Sequence, residues 1–437
     1  MEDLQSNKLL PTGNIKPMIH DNFPRQDRKT YVDFSIQDVK PVQIMPENTD
    51  LNGISSLEFI IHETSEHFID LNSIELELKL KLVNDAGARD GIDGAANVYF
   101  INNLIQTIFP IRKTYINDVP ISFNYNSSYV SHLRQLLDTE ESMVKNKGVP
   151  LGAFTNSSTT LGDQMTLAHM GEVDDRKTFS KKELIHLKGP LDLEISTVNQ
   201  WLIDRCNVKI GLELASKQFV INTTAGASFN YEVSFARLHV KYIKAMDSGF
   251  LSTAKSLMSG GSMEYLMRNY VTHTEQFAAG QNTISISRPF QQKIPSRLYL
   301  MMVRQDALNG VFERNPLYFQ HNNLINYRVS IDGISIVDQD VNIANGAVNV
   351  YHDSQIAHGN NSHFIPYELY TKGAFVICIN TNFQNGDELT YERRGNLQIH
   401  LRLGANLATN NILFVMGEVF TTFSIDADRS VTTNFAY

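Results

Sequence analysis

Residues 73–82 read SIELELKLKL. Ile74, Leu76, Leu78, Leu80 and Leu82 fall on one side, and Glu75, Glu77, Lys79 and Lys81 on the other. A helix would scatter those leucines around its circumference, so only a strand with one apolar and one polar face satisfies the pattern. Such a strand requires a second apolar surface to lie against, which makes a packed-sheet fold the starting expectation.

Further strand signals run along the chain. Alternating, β-branched or aromatic stretches occur at TYVDFSI (30–36), SLEFIIHE (56–63), RKTYINDVPISF (112–123), LDLEI (191–195), NVKIGLEL (207–214) and ARLHVKYIK (236–244). A second series comprises NTISISRPF, SRLYLMMV, INYRVSIDGISI, GAFVICINTNF, GNLQIHLRL and NILFVMGEVFTTFSI. Asn117-Asp118, Asp332-Gly333 and Asn385-Gly386 supply turn residues that tolerate positive φ. Many short strands with such turns predict antiparallel sandwiches or barrels, an all-β class. Helices are few. SSYVSHLRQLLDT (127–139) has Val130, Leu133, Leu136 and Leu137 at helical spacing behind Ser127 or Ser128 as a cap, and a second helix, broken at Gly260-Gly261, is expected over 252–270. Residues 148–180, rich in Ser, Thr and Gly, read as one long surface loop.

An internal echo organises these segments. NVYFINNLIQTIFPIRKTYINDVPIS (97–122) and NPLYFQHNNLINYRVSIDGISI (315–336) share Tyr-Phe, then Asn-Asn-Leu-Ile, then a strand closing on an acidic turn and Ile-Ser. Two similar β-domains in tandem explain it, and 437 residues suit two domains of about 200 residues each. The expected division is an N-terminal arm over 1–29, a first domain over 30–245, a linker over 246–275, and a second domain with a C-terminal tail over 276–437.

Apolar residues at 42% and charged residues at 19% describe a folded protein. A net charge of -9 argues against a chain whose main work is neutralising phosphates, and the first 29 residues, with Lys8, Lys16, Arg25, Arg28 and Lys29 set against Glu2, Asp3, Asp21 and Asp27, form no basic arm. With Pro11, Pro17 and Pro24 they read as an extended arm. Cys206 and Cys378 lie in apolar runs and read as buried free thiols in a reducing compartment. No secretion signal and no apolar run of about 20 residues is present, so neither export nor membrane spanning is expected.

The chemistry-bearing motifs are missing. There is no CxxC, HExxH, GxxxxGK[ST], GxGxxG or GxSxG pattern, and SGGSMEYL (259–266) suits a hinge better than a phosphate cradle. His62, His67, His132, His169 and His186 do not recur at ligand spacing. His352, Asp353, His358 and His363 are spaced such that a divalent ion could be held, with solvated loop histidines as the bland account. Trp201 reads as core filling. No catalytic, cofactor-binding or metal residue is assigned, no cofactor is expected, and the chain is not expected to be an enzyme.

The ordered series resembles the double jelly-roll major capsid (hexon) protein of small eukaryotic DNA viruses, in particular the adintovirus and Maverick or Polinton group. HFIDLNSIELELKLKLVNDAG (67–87), YFINNLIQTIFPIRKTYINDVPIS, YNSSYVSHLRQLLDTEES and LIHLKGPLDLEI (184–195) stand in the family's order. IPSRLYLMMVRQDALNGVFERNPLYFQHNNLINYRVSIDGISI (294–336) is the most specific, with Arg297, Asn309, Gly310, Asn315, Pro316, Phe319, His321 and Asn323 in register. The resemblance covers about residue 30 to the end. It departs at Asp192, where a histidine is frequent, and around Leu403-Gly404, where a phenylalanine is often found.

The resemblance implies two tandem eight-stranded jelly rolls with a few short helices in loops. It also implies homotrimeric, pseudo-hexagonal capsomers tiling an icosahedral shell around double-stranded DNA. Expected partners are the chain itself, neighbouring capsomers, and penton and minor capsid proteins, without specific nucleic-acid binding. The expected location is the virion, after synthesis in the host cytoplasm and assembly inside the host cell. Residues 148–180 and 337–365 are candidates for the outer towers, and residues 1–29 and the tail after Asp428 for inward segments that order on assembly. Competing readings are a carbohydrate-binding tandem β-sandwich and a host-encoded scaffold descended from a capsid gene.

Overall fold

The alternating stretch at 73–82 lies inside a longer strand, Phe68–Asn84. The computed structural model of the chain describes residues 36–48, 50–51, 53–85, 87–89, 92, 98–155, 174–223, 228–246, 253–255, 257–359, 365–381 and 393–433. The principal strands of the first domain are β1 (Ile36–Ile44), β2 (Ser56–Ile61), β3 (Phe68–Asn84), β4 (Ile111–Ile116), β5 (Val119–Asn124), β6 (Ile185–Pro190), β7 (Val208–Glu213) and β8 (Phe229–Ala245). Those of the second are β9 (Met263–Phe277), β10 (Thr283–Ser287), β11 (Arg297–Arg304), β12 (Leu324–Ile331), β13 (Ile334–Asp340), β14 (Val376–Asn380), β15 (Leu397–Leu403) and β16 (Asn411–Ile425).

The first domain's sheets run β1-β8-β3-β6 and β2-β7-β4-β5, and the second domain's run β9-β16-β11-β14 and β10-β15-β12-β13, all antiparallel. Raising each label of the first pair by eight gives the second pair. Each domain is an eight-stranded jelly roll, and the internal echo is the β4–β5 hairpin repeated as β12–β13. Both copies place asparagines in the left-handed region before the first strand, Asn103 at φ 55° and Asn323 at φ 51°. Both turn through positive φ, at Asn117 and Asp118 in one and Asp332 and Gly333 in the other. The first copy is longer because the helical turn Leu104–Thr107 is inserted between the asparagines and the strand.

The first roll buries what the alternation marks. Ile74, Leu76, Leu78, Leu80 and Leu82 are all at most 1% exposed, sharing a core with Leu57, Phe59 and Ile61 of β2 and Val208, Ile210 and Leu212 of β7. Each such side chain contributes about 1.5 to 3 kcal/mol on burial.

The second roll is buried differently. Leu298 through Val303 of β11 are buried without interruption, as are Asn411 through Glu418 of β16, so this sheet is covered on both faces. Its inner face meets its own partner sheet. Helix α1 (Ser127–Asp138), from the first roll's β5–β6 connection, reaches its outer face, where Tyr129 lies 4.3 Å from the ring of Phe414. Helix α2 (Val348–His358), from the equivalent β13–β14 connection, packs against β14.

Several expectations are corrected. The helix expected over 252–270 is strand from Met263, where Tyr265, Met267 and Asn269 turn inward; methionine and leucine, good helix formers, hid a period of two. The second roll therefore begins inside the stretch assigned to the linker. LDLEI (191–195) is not a strand: the strand lies just before it at 185–190, and a 3-10 turn follows at Glu194–Thr197, although Leu191, Leu193 and Ile195 are buried as their alternation suggests. The first described strand is Ile36–Ile44 rather than 30–36, of which 30–35 lie outside the described residues; Pro41 is tolerated because β1 is a sheet edge. Asn126 takes the cap position of α1 without a side-chain cap bond, while the Ser127 and Ser128 hydroxyls donate to Asn124 O and Thr107 O. Residues 148–180 include helical turns at Val149–Leu151 and Asp174–Ser180, with 156–173 outside the described residues, as is the Asn385-Gly386 turn.

Leu78→Ala is expected to lower the unfolding free energy of the chain by about 2 to 5 kcal/mol. Lys79→Ala, one residue away on the open face, should change it by about 0.5 kcal/mol or less. Urea denaturation followed by tryptophan fluorescence and circular dichroism compares the two, and equal effects would refute the assignment of faces.

Candidate assembly surfaces

The polar side of β3 is organised around one carboxylate. Glu77 is only 6% exposed although it lies on the outward face of the β1-β8-β3-β6 sheet. Register explains its partners, since Glu77 lies opposite Arg237 on β8 and Lys188 on β6. Arg237 donates to Glu77 Oε2 through Nη2 at 2.8 Å and Nε at 3.2 Å, His239 Nε2 lies 2.8 Å from the same oxygen, and His186 Nε2 lies 2.9 Å from Oε1. Burial alone would raise the carboxyl's pKa, but the hydrogen bonds from Arg237, His239 and His186 outweigh it and hold it at about 2. Arg237 also donates to Gln43 Oε1 on β1 at 2.6 Å, so one chain of contacts spans the sheet.

The second roll carries a buried carboxylate on the corresponding face. Glu418 of β16 is 1% exposed, with Arg268 Nε at 3.2 Å and Arg297 Nη1 at 3.4 Å. Here the surroundings are apolar and covered by the first roll. Tyr129 and His132 of α1 lie against Phe319, and Arg134 sits over the ring of Tyr270. Burial, aided by Arg176, pushes the His132 imidazole down to about 3, so it is neutral between the rolls. Asp138 at the end of α1 meets His358 Nε2 at 3.0 Å, and Asn126 Nδ2 donates to Thr272 Oγ1 at 3.0 Å.

The other end of the joint is equally specific. The Ile203 N–H donates to Tyr265 Oη at 3.1 Å. Arg429 Nη2 donates to Asp204 Oδ1 at 2.7 Å, and Asn117 Nδ2, in the β4–β5 turn, donates to Arg429 O at 2.9 Å. The tail after Asp428 is thus tied to its own chain through residue 433, correcting the expectation that it orders only on assembly; a pair between the half-buried Arg429 and the buried Asp204 carboxylate holds it. Gly310, at φ +85°, closes against Gln218 of the first roll, where an added Cβ would lie 2.7 Å from the Gln218 Cβ.

The remaining candidates are dispersed. His352 is exposed on α2, His358 is buried on its last turn, and His363 lies outside the described residues; the segment is helix rather than loop, and no metal-binding group occurs among the described residues. Trp201 is half-buried against the core, and its carbonyl accepts from Tyr265 Oη. Cys206 and Cys378 are buried free thiols. Asp192, at the departure from the family pattern, pairs with Arg134, and its carbonyl accepts from the fully buried Arg112. Sequence reasoning missed Glu77 as a hub because alternation placed it with three solvated neighbours; only the strand register reveals the cations around it. Residues 1–29 lie outside the described residues. No helix among the described residues is long and apolar enough to cross a membrane.

No protein-family model matches the sequence, and no curated protein sequence does either. Solved structures do match. A chain from the Sputnik virophage structure superposes with a TM-score of 0.60 at 11% identity, covering 98% of this chain and 93% of that one. The mavirus major capsid protein gives 0.56 at 10% identity, with 98% and 96% covered. The Faustovirus major capsid protein gives 0.57 at 10% identity, with 92% of each chain covered. This chain has the fold of viral double jelly-roll capsid proteins. The match runs through both rolls.

Glu77→Gln keeps the shape and removes the charge. Because the folded-state pKa of Glu77 lies below its ordinary value, its contribution is present above the unfolded value and is lost as pH falls from 4.5 to about 2. The variant should be less stable than the parent by about 1 to 3 kcal/mol at pH 7. That gap should close across the acid window in urea titrations at stepped pH, and a gap independent of pH would count against the charge as its source.

Proposed function

We propose that the chain is the major capsid protein of a virus and acts structurally rather than catalytically. Three copies would form a pseudo-hexagonal capsomer of six rolls, and capsomers would tile an icosahedral shell around a double-stranded DNA genome. The observation that carries this is the near end-to-end match of a double jelly roll to viral capsid proteins, with both rolls and their order retained. The heterologous joint supports it, since one roll presents an edge to the other's sheet face and such a contact can repeat around a ring.

The motif series favours the adintovirus and Maverick or Polinton type among such viruses. Penton and minor capsid proteins are the further partners, and assembly takes place inside the host cell. Residues 148–180 and 337–365 fall largely in the β5–β6 and β13–β14 connections, the same position in the two rolls. That equivalence supports a shared role as outer towers, with the N-terminal arm directed inward.

Negative-stain microscopy of the purified chain tests the reading. Hexagonal trimers or closed particles are the expected result, and dispersed monomers at every concentration would overturn it. Deleting residues 1–25 should lower particle yield while leaving trimers intact, and an unchanged yield would remove the arm from assembly.

A further inference from the structure

One sheet edge is closed in the second roll and open in the first. The edge strand β14 is covered by α2, where Val350 and Ser354 are fully buried and the Cys378 N–H, pointing away from β11, donates to Ser354 Oγ at 3.1 Å. β6 is the corresponding edge strand, but α1, the corresponding helix, lies against the second roll instead. Beside β6 is a cleft of about 780 Å³, a size that suits a small ligand or a short peptide. Ser131, Arg134 and Asp138 of α1 line one side, Lys188 and Pro190 another, and the helix Glu141–Lys147 a third. That helix buries none of its residues, and Met143 is 47% exposed. Seven residues are too few for a helix to hold itself in water, so its apolar side chains lack the cover that would fix it.

Register fixes what β6 offers. Leu191 N donates to Ile74 O at 3.1 Å, so Gly189 and Leu187, in the same phase, turn their N–H groups to β3, while those of Lys188 and His186 point away from the sheet. Among the described residues neither of these two N–H groups has a hydrogen-bond partner. Where the strand ends, the Gln106 side chain stands in for a neighbouring strand: Nε2 donates to Pro190 O at 2.5 Å, and Oε1 accepts from Asp192 N at 3.1 Å. The next rungs, at Lys188 and His186, are open.

We infer that this cleft is a docking site for an extended segment of a partner protein, which adds a strand to β6 through the main-chain groups of Lys188 and His186. Alternate side chains of that segment enter the cleft against Met143, Val144, Pro150 and Leu151. The others lie on the outer side next to His186 and Lys188, where acidic residues suit. The chain's own acids there are one strand further in and already engaged, Glu75 with Lys188 at 4.0 Å and Glu77 with His186 at 2.9 Å. Among the described residues no aromatic ring lines the cleft, so neither a sugar ring nor a flat heterocycle finds a stacking surface. The edge belongs to the single chain, and the site stands whether or not capsomers form.

Selection of a seven-residue peptide display library on the full chain tests this, with the enriched peptides synthesised and titrated by fluorescence anisotropy. Enriched sequences should alternate apolar and acidic residues. Lys188→Pro removes one outward N–H and spares the sheet, because Pro190 already occupies the same phase two residues on. It should weaken binding about tenfold. Lys188→Ala, which keeps the N–H, should weaken it no more than about threefold. In the parent chain the peptides should slow amide hydrogen exchange at Lys188 and His186, a readout independent of how the proline variant folds. A library without enrichment, or peptides that leave those two amides unprotected, would overturn the site and leave the capsomer reading standing.

Discussion

An apolar sheet face is stable only when another surface covers it, and this molecule is arranged around how each of its sheet faces meets that requirement. Within a roll the answer is the partner sheet, as for the leucine row of β3. On the outside of the rolls the answers diverge. The first roll's outward face is polar and needs no cover, whereas the second roll's is lined by Tyr299, Met301, Phe414 and Met416 and is covered jointly by the first roll's α1 and its own α2. Removing the first roll would uncover the part of that face around Phe414 where Tyr129 lies.

That difference was written in the sequence. IELELKLKL alternates because one side is wet, and RLYLMMVR does not alternate because both sides are covered. Strand existence, the tandem repeat and the helix at 127–138 were all legible on this basis. What failed did so where local pattern and tertiary need part company. Leu191, Leu193 and Ile195 alternate like a strand but are buried by a turn, and Met263 to Tyr270 carry helix-favouring residues in a strand that the sheet pairing imposes. The candidate surfaces were less legible still. Glu77 differs from Glu75 only in which residues the register sets beside it, and register is a long-range property that a single strand's sequence does not contain.

Glu77 and Glu418 illustrate one solution used in two settings. Each is a carboxylate on an outward face, almost fully covered and ringed by cations from neighbouring strands. In the second roll the apolar joint closes over the group. In the first roll only long polar side chains shield it, and the histidines and arginine that bind it are themselves partly open. A paired carboxylate at a sheet face stiffens the relative placement of three strands, because its bonds hold only when β3, β6 and β8 keep their register.

The repeat makes this asymmetry informative. Two copies of one fold are joined here by a contact that is not self-complementary, the edge of the first roll lying on the sheet face of the second. The first roll's outward face keeps its strands in fixed register around Glu77, and in the second roll the aspartates of β13 and α2 are held by hydrogen bonds from Asn326 and Gln339. Both surfaces are ordered by the chain's own contacts, so their polar groups are held in fixed register by side chains on neighbouring strands.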